Sequence, residues 1–288
     1  MIYNYEQWDV FTSTPLTGNP LAVFLDARGL SDLQMLAIAR ETNLSETTFI
    51  FPRDAAIEAE RGIRVRIFTR SQELPFAGHP VLGTAMAIRM HLENPPEVVK
   101  LDLNGGLIPV TFEATAAGIY GEMLQPEPIL AEAHRVADIA PLLGLPESDF
   151  DATYPIHNIS TGRPNLVVML NSLSAVKRAQ VDWNAVQHQQ RGFYLITQET
   201  ERTSSRLHAR KPTPNGDDPV TGSAAGCAAA YMVEYQLSKS AERVIIEQGS
   251  EVNRPGELYV SAERSGSVIT KVHVGGYAVR VFEGRATL

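Results

Sequence analysis

At 288 residues, 44% hydrophobic and 20% charged, the chain has the size and composition of a globular protein of one large domain or two smaller ones. Its net charge of −8 is spread out, with no Lys/Arg cluster interleaved with aromatics, which argues against nucleic acid as a partner. No apolar stretch approaches the ~20 residues that span a bilayer, and "MIYNYEQWDVF" lacks the basic start and apolar run of a signal peptide. A single cysteine, Cys227, cannot form an internal disulfide and suits a reducing cytoplasm.

Taken in chain order, residues 16–25, "LTGNPLAVFL", predict a Thr-Gly-x-Pro loop entering an alternating apolar strand. "NLSETTFIF", residues 43–51, reads as a strand holding one acid, Glu46, among β-branched and aromatic residues. "RVRIFT" alternates as a half-buried strand does and leads into "ELPFAGHPVLGTAMA", residues 73–87, a Pro/Gly-rich loop running into a helix expected to begin near Gly83. The strand "EVVKLDL" follows, and "LNGGL" is a hairpin turn, because Asn-Gly tolerates positive φ.

The order then repeats. "STGRPNLVVML", "GFYLIT" and "SRLHAR" precede "GDDPVTGSAAGCAAA", residues 216–230, and then the strand "ERVIIEQG". Thr17 and Thr161 lie 144 residues apart, and His79 and Asp218 lie 139 apart, so two independent matches share nearly one offset. That is the signature of a duplicated domain. The expected architecture is an α/β (α+β) fold of two similar domains, 1–118 and 119–288. Each is a curled, mostly antiparallel sheet around a central helix, and the last strand, "YAVRVFEG", is able to return to the first domain. The helix near Ser223 is apolar nearly all round and needs protein on every side.

The repeated loop carries the candidate chemistry. Both copies read polar residue, Pro, Val, any residue, Gly, small hydroxyl residue, Ala. Thr84 and Ser223 are expected at the N-cap or in the first turn of their helices. The N–H groups there lack internal partners, and Gly83 and Gly222 let a ligand approach the backbone closely. With Gly78 and Ala224 beside them, two such helix ends would grip a carboxylate; the plainer reading is two well-capped helices. His79 and Asp218 occupy matching positions, so pseudo-symmetry would set them on opposite sides of one cleft. The plainer readings are a loop histidine bonded to backbone and a helix-capping acid. Glu46 is either a solvent-facing strand residue or, if buried, an acid able to take and return a proton. The second half offers no acid at the equivalent strand.

These segments together resemble the PhzF-like isomerase family of phenazine biosynthesis, whose fold is that of diaminopimelate epimerase. The resemblance rests on "DVFTSTPLTGNPLAVFLD", "LSDLQMLAIARETNLSETTFIF", "RIFTRSQELPFAGHPVLGTA" and "GDDPVTGSAAG", in order along the chain. It implies that Glu46 carries a proton shift, and that His79, Asp218 and Ser223 complete the catalytic set. It further implies no metal, flavin or nucleotide, a homodimer, and a small carboxylate-bearing amine as substrate. Two departures stand out: Arg70 where the family commonly has Pro, and "RLHAR" in place of Arg-x-Phe-x-Pro. The latter introduces His208 and Arg210, which would add positive charge if they reached the site.

A rival of the same fold is a racemase or epimerase. Its thiol version needs two facing cysteines, whereas Cys227 stands alone and reads as core. A carboxylate-binding protein without turnover is the rival from another class. Among the histidines at 79, 91, 134, 157, 188, 208 and 273 no pair has metal-ligand spacing.

Overall fold

The computed structural model describes residues 1–186 and 192–288, so His188 lies outside the described residues. The chain divides into two compact units, Met1–Leu124 with Gly275–Leu288, and Gln125–Val274. No helix among the described residues is long and apolar enough to cross a membrane.

The first unit opens with β1 (Ile2–Val10) and β2 (Asn19–Phe24), an antiparallel pair. Then come α1 (Asp32–Thr42), β3 (Glu46–Phe51), α2 (Ala55–Arg61) and β4 (Ile63–Phe68). Next are the short β5 (Glu73–Leu74), α3 (Gly78–Met90), β6 (Val98–Leu103), β7 (Gly106–Thr115) and β8 (Gly118–Leu124). Helix α1 forms where Ser31 and Gln34 make a reciprocal capping box, and it ends at Asn43 in the left-handed region.

Strand β3 runs parallel to β2 and antiparallel to β4, which in turn runs parallel to β6. One face of these strands takes Met35, Ile38 and Ala39 of α1 against Phe24, Phe49 and Phe68. The other face takes α3. Burial from both sides explains why Thr47, Thr48, Phe49 and Ile50 are all buried, without the alternation of a half-exposed strand. Asn104 and Gly105 form the expected two-residue turn, with Leu103 paired to Gly106.

The second unit contains β9 (Ile129–His134), α4 (Val136–Ile139), β10 (Ile156–Ser160), β11 (Pro164–Met169), α5 (Leu173–Arg178) and β12 (Gly192–Thr197). It continues with β13 (Leu207–Thr213), β14 (Gly216–Asp218), α6 (Gly222–Glu234), β15 (Val244–Gln248) and β16 (Gly256–Ser265), and ends within β17 (Val268–Gly276), whose last two residues belong to the first unit. The last strand, β18 (Ala278–Thr287), pairs antiparallel with β1.

The two units repeat one pairing scheme. In the second, β10–β11 is antiparallel, β11–β12 parallel across α5, β12–β13 antiparallel, β13–β15 parallel across α6, and β15–β16 antiparallel. The first unit has the same sequence of pairings from β1–β2 to β6–β7, with its parallel crossovers at α1 and α3. Each central helix is sheathed by its own unit: Gly78–Ile88 of α3 and Ala224–Val233 of α6 are buried throughout. This is the expected α/β architecture of curled sheets, each about one helix.

Candidate active site

Glu46 is the first residue of β3, placed there by the left-handed Asn43 that ends α1. His79 lies in the first turn of α3. Its Nε2 stands 3.5 Å from Glu46 Oε2, with the two side chains 6% and 13% exposed. That nitrogen is buried and makes no hydrogen bond among the described residues. Burial pulls the imidazole pKa down to about 3, so the ring is neutral at physiological pH. An unpaired buried polar atom costs about 1–3 kcal/mol. A neutral imidazole against a largely buried carboxylate is an arrangement able to exchange protons.

Two contacts hold this pair in place. Thr84 Oγ1 donates to Thr48 Oγ1 at 2.8 Å, tying the second turn of α3 to β3. At Gly83 an added Cβ would stand 2.7 Å from Leu21 and from Val10, so only glycine lets the helix lie this close to β1 and β2. These contacts correct the sequence reading: α3 begins at Gly78 behind Ala77, not at Gly83. Gly83 and Thr84 are interior helix residues, fully buried, whose N–H groups belong to the helix. A packed apolar residue, Leu82, at the variable position draws the earlier residues into the helix.

In the second unit the helix starts where the sequence puts it. Thr221 is the N-cap of α6, with Gly222, Ser223 and Ala224 as its first turn. Ser223 is half-buried and its carbonyl accepts from Thr161 Oγ1. The Thr221 side chain makes no cap bond to the helix. Its hydroxyl donates instead to Asp218 Oδ2 at 2.6 Å. Asp218 ends β14, directly across the ladder from Lys211. The Lys211 amine meets Asn165 Oδ1 and sits where a side chain on Gly192 would be. Burial lowers its pKa to about 8, opposed by the attraction of Asp218. Lys211 and Thr221 escaped the sequence reading. Thr221 held the variable position of the repeat, and Lys211 becomes visible only once the β13–β14 register is known.

His208 and Arg210 do not stay free cations. His208 is wholly buried, with Nδ1 3.0 Å from Glu247 and Nε2 2.8 Å from Glu251. Burial disfavours its charge, but the two carboxylates win and raise its pKa to about 9. Arg210 pairs with Asp217 at 2.7 Å and donates to the carbonyls of Val176 and Ala179 at the end of α5. Arg70 is exposed and donates to Asn43 Oδ1. Glu201, His208 and Glu247 also form the one cluster of metal-ligand type among the described residues. The cluster is bonded internally: the His208 ring faces a carboxylate at each nitrogen and donates to them, Glu247 accepts from the Glu201 and Arg202 amides, and Glu201 accepts from Lys177 and Ser250. A cavity of about 330 Å³ opens beside this network, with Glu201, Arg202, Gln248, Ser250, Asn253 and Pro255 among its lining residues. Cys227 is buried core, its thiol pKa raised by burial.

The family model of phenazine biosynthesis-like proteins, PhzC-PhzF, matches residues 8–284. The chain belongs to this family. Trans-2,3-dihydro-3-hydroxyanthranilate isomerase of Pseudomonas fluorescens is 35% identical over 291 residues, covering 100% of this chain and 99% of that protein. A PhzF-family phenazine biosynthesis protein of Bacillus anthracis superposes with a TM-score of 0.88 at 26% identity, both chains covered in full. A hydroxyproline epimerase of Agrobacterium vitis shares the fold at 9% identity, with a TM-score of 0.61 over 99% of this chain and 91% of that one. With end-to-end relatives that are isomerases, this PhzF-family chain is an enzyme of the isomerase class.

Proposed function

We propose that this enzyme catalyses a cofactor-independent proton shift on a small, carboxylate-bearing, amino-acid-like substrate, with trans-2,3-dihydro-3-hydroxyanthranilate the first compound to try. The observation that carries the reading is the Glu46–His79 pair: a carboxylate 3.5 Å from an imidazole that burial keeps neutral. Glu46 takes a proton from one carbon and returns it to another. His79, which stays uncharged, polarises the substrate through its otherwise unbonded Nε2. Asp218 and Ser223 hold the amine and hydroxyl groups, and the uncapped first turn of α6, at Gly222 to Ala224, suits the substrate carboxylate.

A positioned acid–base residue contributes about 10²–10⁴-fold, so fixed dipoles must supply the remaining acceleration. A thiol racemase finds no support: Cys227 is alone, buried and held as the thiol. A reducing cytoplasm and a homodimer complete the proposal.

The test is NMR of trans-2,3-dihydro-3-hydroxyanthranilate in D2O. Wild-type enzyme should convert the compound, and Glu46→Gln should lose about 10²-fold or more of the rate while still binding it. Full turnover by Glu46→Gln would remove Glu46 from the mechanism.

A further inference from the structure

Behind Asp218 lies a buried network whose directions of hydrogen bonding are fixed by groups that have no choice. Gln248, at the end of β15, is 1% exposed. Its Oε1 accepts from the Thr221 amide at 3.2 Å and from the Tyr194 hydroxyl at 3.1 Å. Its Nε2 donates to the Asp218 carbonyl at 2.8 Å and to Thr221 Oγ1 at 3.1 Å. A backbone N–H only donates and a carbonyl only accepts, so the carboxamide has one orientation, with Nε2 towards Thr221 Oγ1. Tyr194 is buried and its pKa is raised far above the ordinary value by desolvation, so its phenol keeps its proton and acts as a donor. With Gln248 occupying a lone pair of Thr221 Oγ1, the threonine proton is turned onto Asp218 Oδ2, 2.6 Å away.

We infer that Gln248 is a positioning residue for Asp218: it aligns the Thr221 hydroxyl so that this hydroxyl donates to the Asp218 carboxylate and holds it ionised in one rotamer. A hydrogen bond donated to the charged form favours that form. The bonds of such a chain polarise one another. Thr221 therefore trades the usual duty of an N-cap for the carboxylate, which also leaves the first turn of α6 without a side-chain cap. The assignment deepens the proposed function, and it rests on that reading for its catalytic meaning, since Asp218 is there a substrate-holding group.

The experiment follows the titration of the Asp218 carboxyl carbon by 13C NMR in the full chain, identified by its loss in Asp218→Asn. Gln248→Met, uncharged and similar in length, should raise the midpoint by about one pH unit or more, and Thr221→Val should do the same. Thr221→Ser, which keeps the hydroxyl, should leave it unchanged. The double variant Gln248→Met/Thr221→Val should shift no further than Thr221→Val alone, because the glutamine acts through that hydroxyl. If Gln248→Met does not fold, Gln248→Asn, one methylene short of reach, replaces it. An unmoved midpoint in the Gln248 variant, or additive shifts in the double variant, overturns the assignment.

This measurement needs no turnover. Should wild-type enzyme leave trans-2,3-dihydro-3-hydroxyanthranilate untouched, the proposed reaction fails while the titration still judges the relay. Where turnover is seen, the acid limb of the pH–rate profile should move with the carboxyl midpoint, a change that loss of packing alone does not produce.

Discussion

The loop around His79 and the loop around Asp218 share Pro, Val, Gly and Ala in register, yet they fold differently. A residue before proline is pushed toward extended backbone. Asp218 conforms, held in a strand across from Lys211, and its helix waits until Gly222. His79 is instead drawn inside α3, which starts one residue ahead of it. The variable position accounts for much of this: Leu82 is fully buried within α3, whereas Thr221 stands at the N-cap position of α6 and turns its hydroxyl onto Asp218 instead of the helix. The two units thus carry the same Pro-Val-x-Gly pattern in different local structure, and His79 and Asp218 meet unlike surroundings. His79 is neutral, its buried Nε2 lying 3.5 Å from Glu46 without a hydrogen bond among the described residues; Asp218 is furnished with a donor.

The sharpest way to break this comparison is to make the first loop like the second. His79→Asp would bring a carboxylate into the buried position beside Glu46, where two like charges cannot both ionise. Turnover should fall by about 10²-fold or more, the span a positioned acid–base group contributes. A pH–rate profile and kcat would check this. If kcat stayed within a factor of two of wild type, the uncharged ring would not be what the first loop provides.

Much of this contrast was legible before any coordinates. The offset between Thr17 and Thr161, the acid at the head of "ETTFIF" and the all-apolar helix after Ser223 come from periodicity and composition, which local sequence encodes directly. The early start of α3 was not, because Gly83–Thr84 looks like a cap and only the packing of Leu82 and Gly83 against β1 and β2 overrides that preference. Lys211 and Gln248 were missed for a related reason: their roles depend on strand register, and residues far apart in the chain meet only in the fold, whereas Thr221 was passed over because it held the variable position of the repeat. The charges of His208 and Arg210 were visible, but their neutralisation by Glu247, Glu251 and Asp217 was not.

A second pair of residues sharpens the comparison through pH. His79 is uncharged in the folded state with a pKa of about 3, below the 6.5 of an unfolded chain. Its contribution to stability is complete above pH 6.5 and is lost as pH falls from there toward 3, because unfolding lets the ring take a proton. His208 is moved the other way, to about 9. Its contribution is complete below pH 6.5 and is lost as pH rises from there through 9. A tenfold difference in proton affinity between folded and unfolded chains is about 1.4 kcal/mol, so either effect amounts to a few kcal/mol at most. Urea midpoints measured across pH should show a maximum near pH 6.5 that declines on both sides. His79→Gln should flatten the acid side and His208→Gln the alkaline side; a variant that flattened the opposite limb would reverse the assignment.

The smallest expected effect concerns the glycine that both loops keep. In the first unit an added methyl at Gly83 would meet Leu21 and Val10 at 2.7 Å, closer than carbon atoms approach without displacement. Those neighbours are themselves fully buried, so they cannot swing away into solvent. Gly83→Ala should therefore destabilise the protein by about 1–3 kcal/mol, the usual cost of overpacking a core, partly offset by the better helix propensity of alanine. Because the contact lies one turn along α3 from His79, relief of the clash by a shift of the helix should also change the 3.5 Å approach to Glu46. Thermal unfolding and the proton-exchange rate, measured on the same variant, separate the two consequences. Lost stability with unchanged exchange would mean that Gly83 serves packing alone. Loss of both would show that the close approach of α3 to the first strands is what sets the acid–base pair.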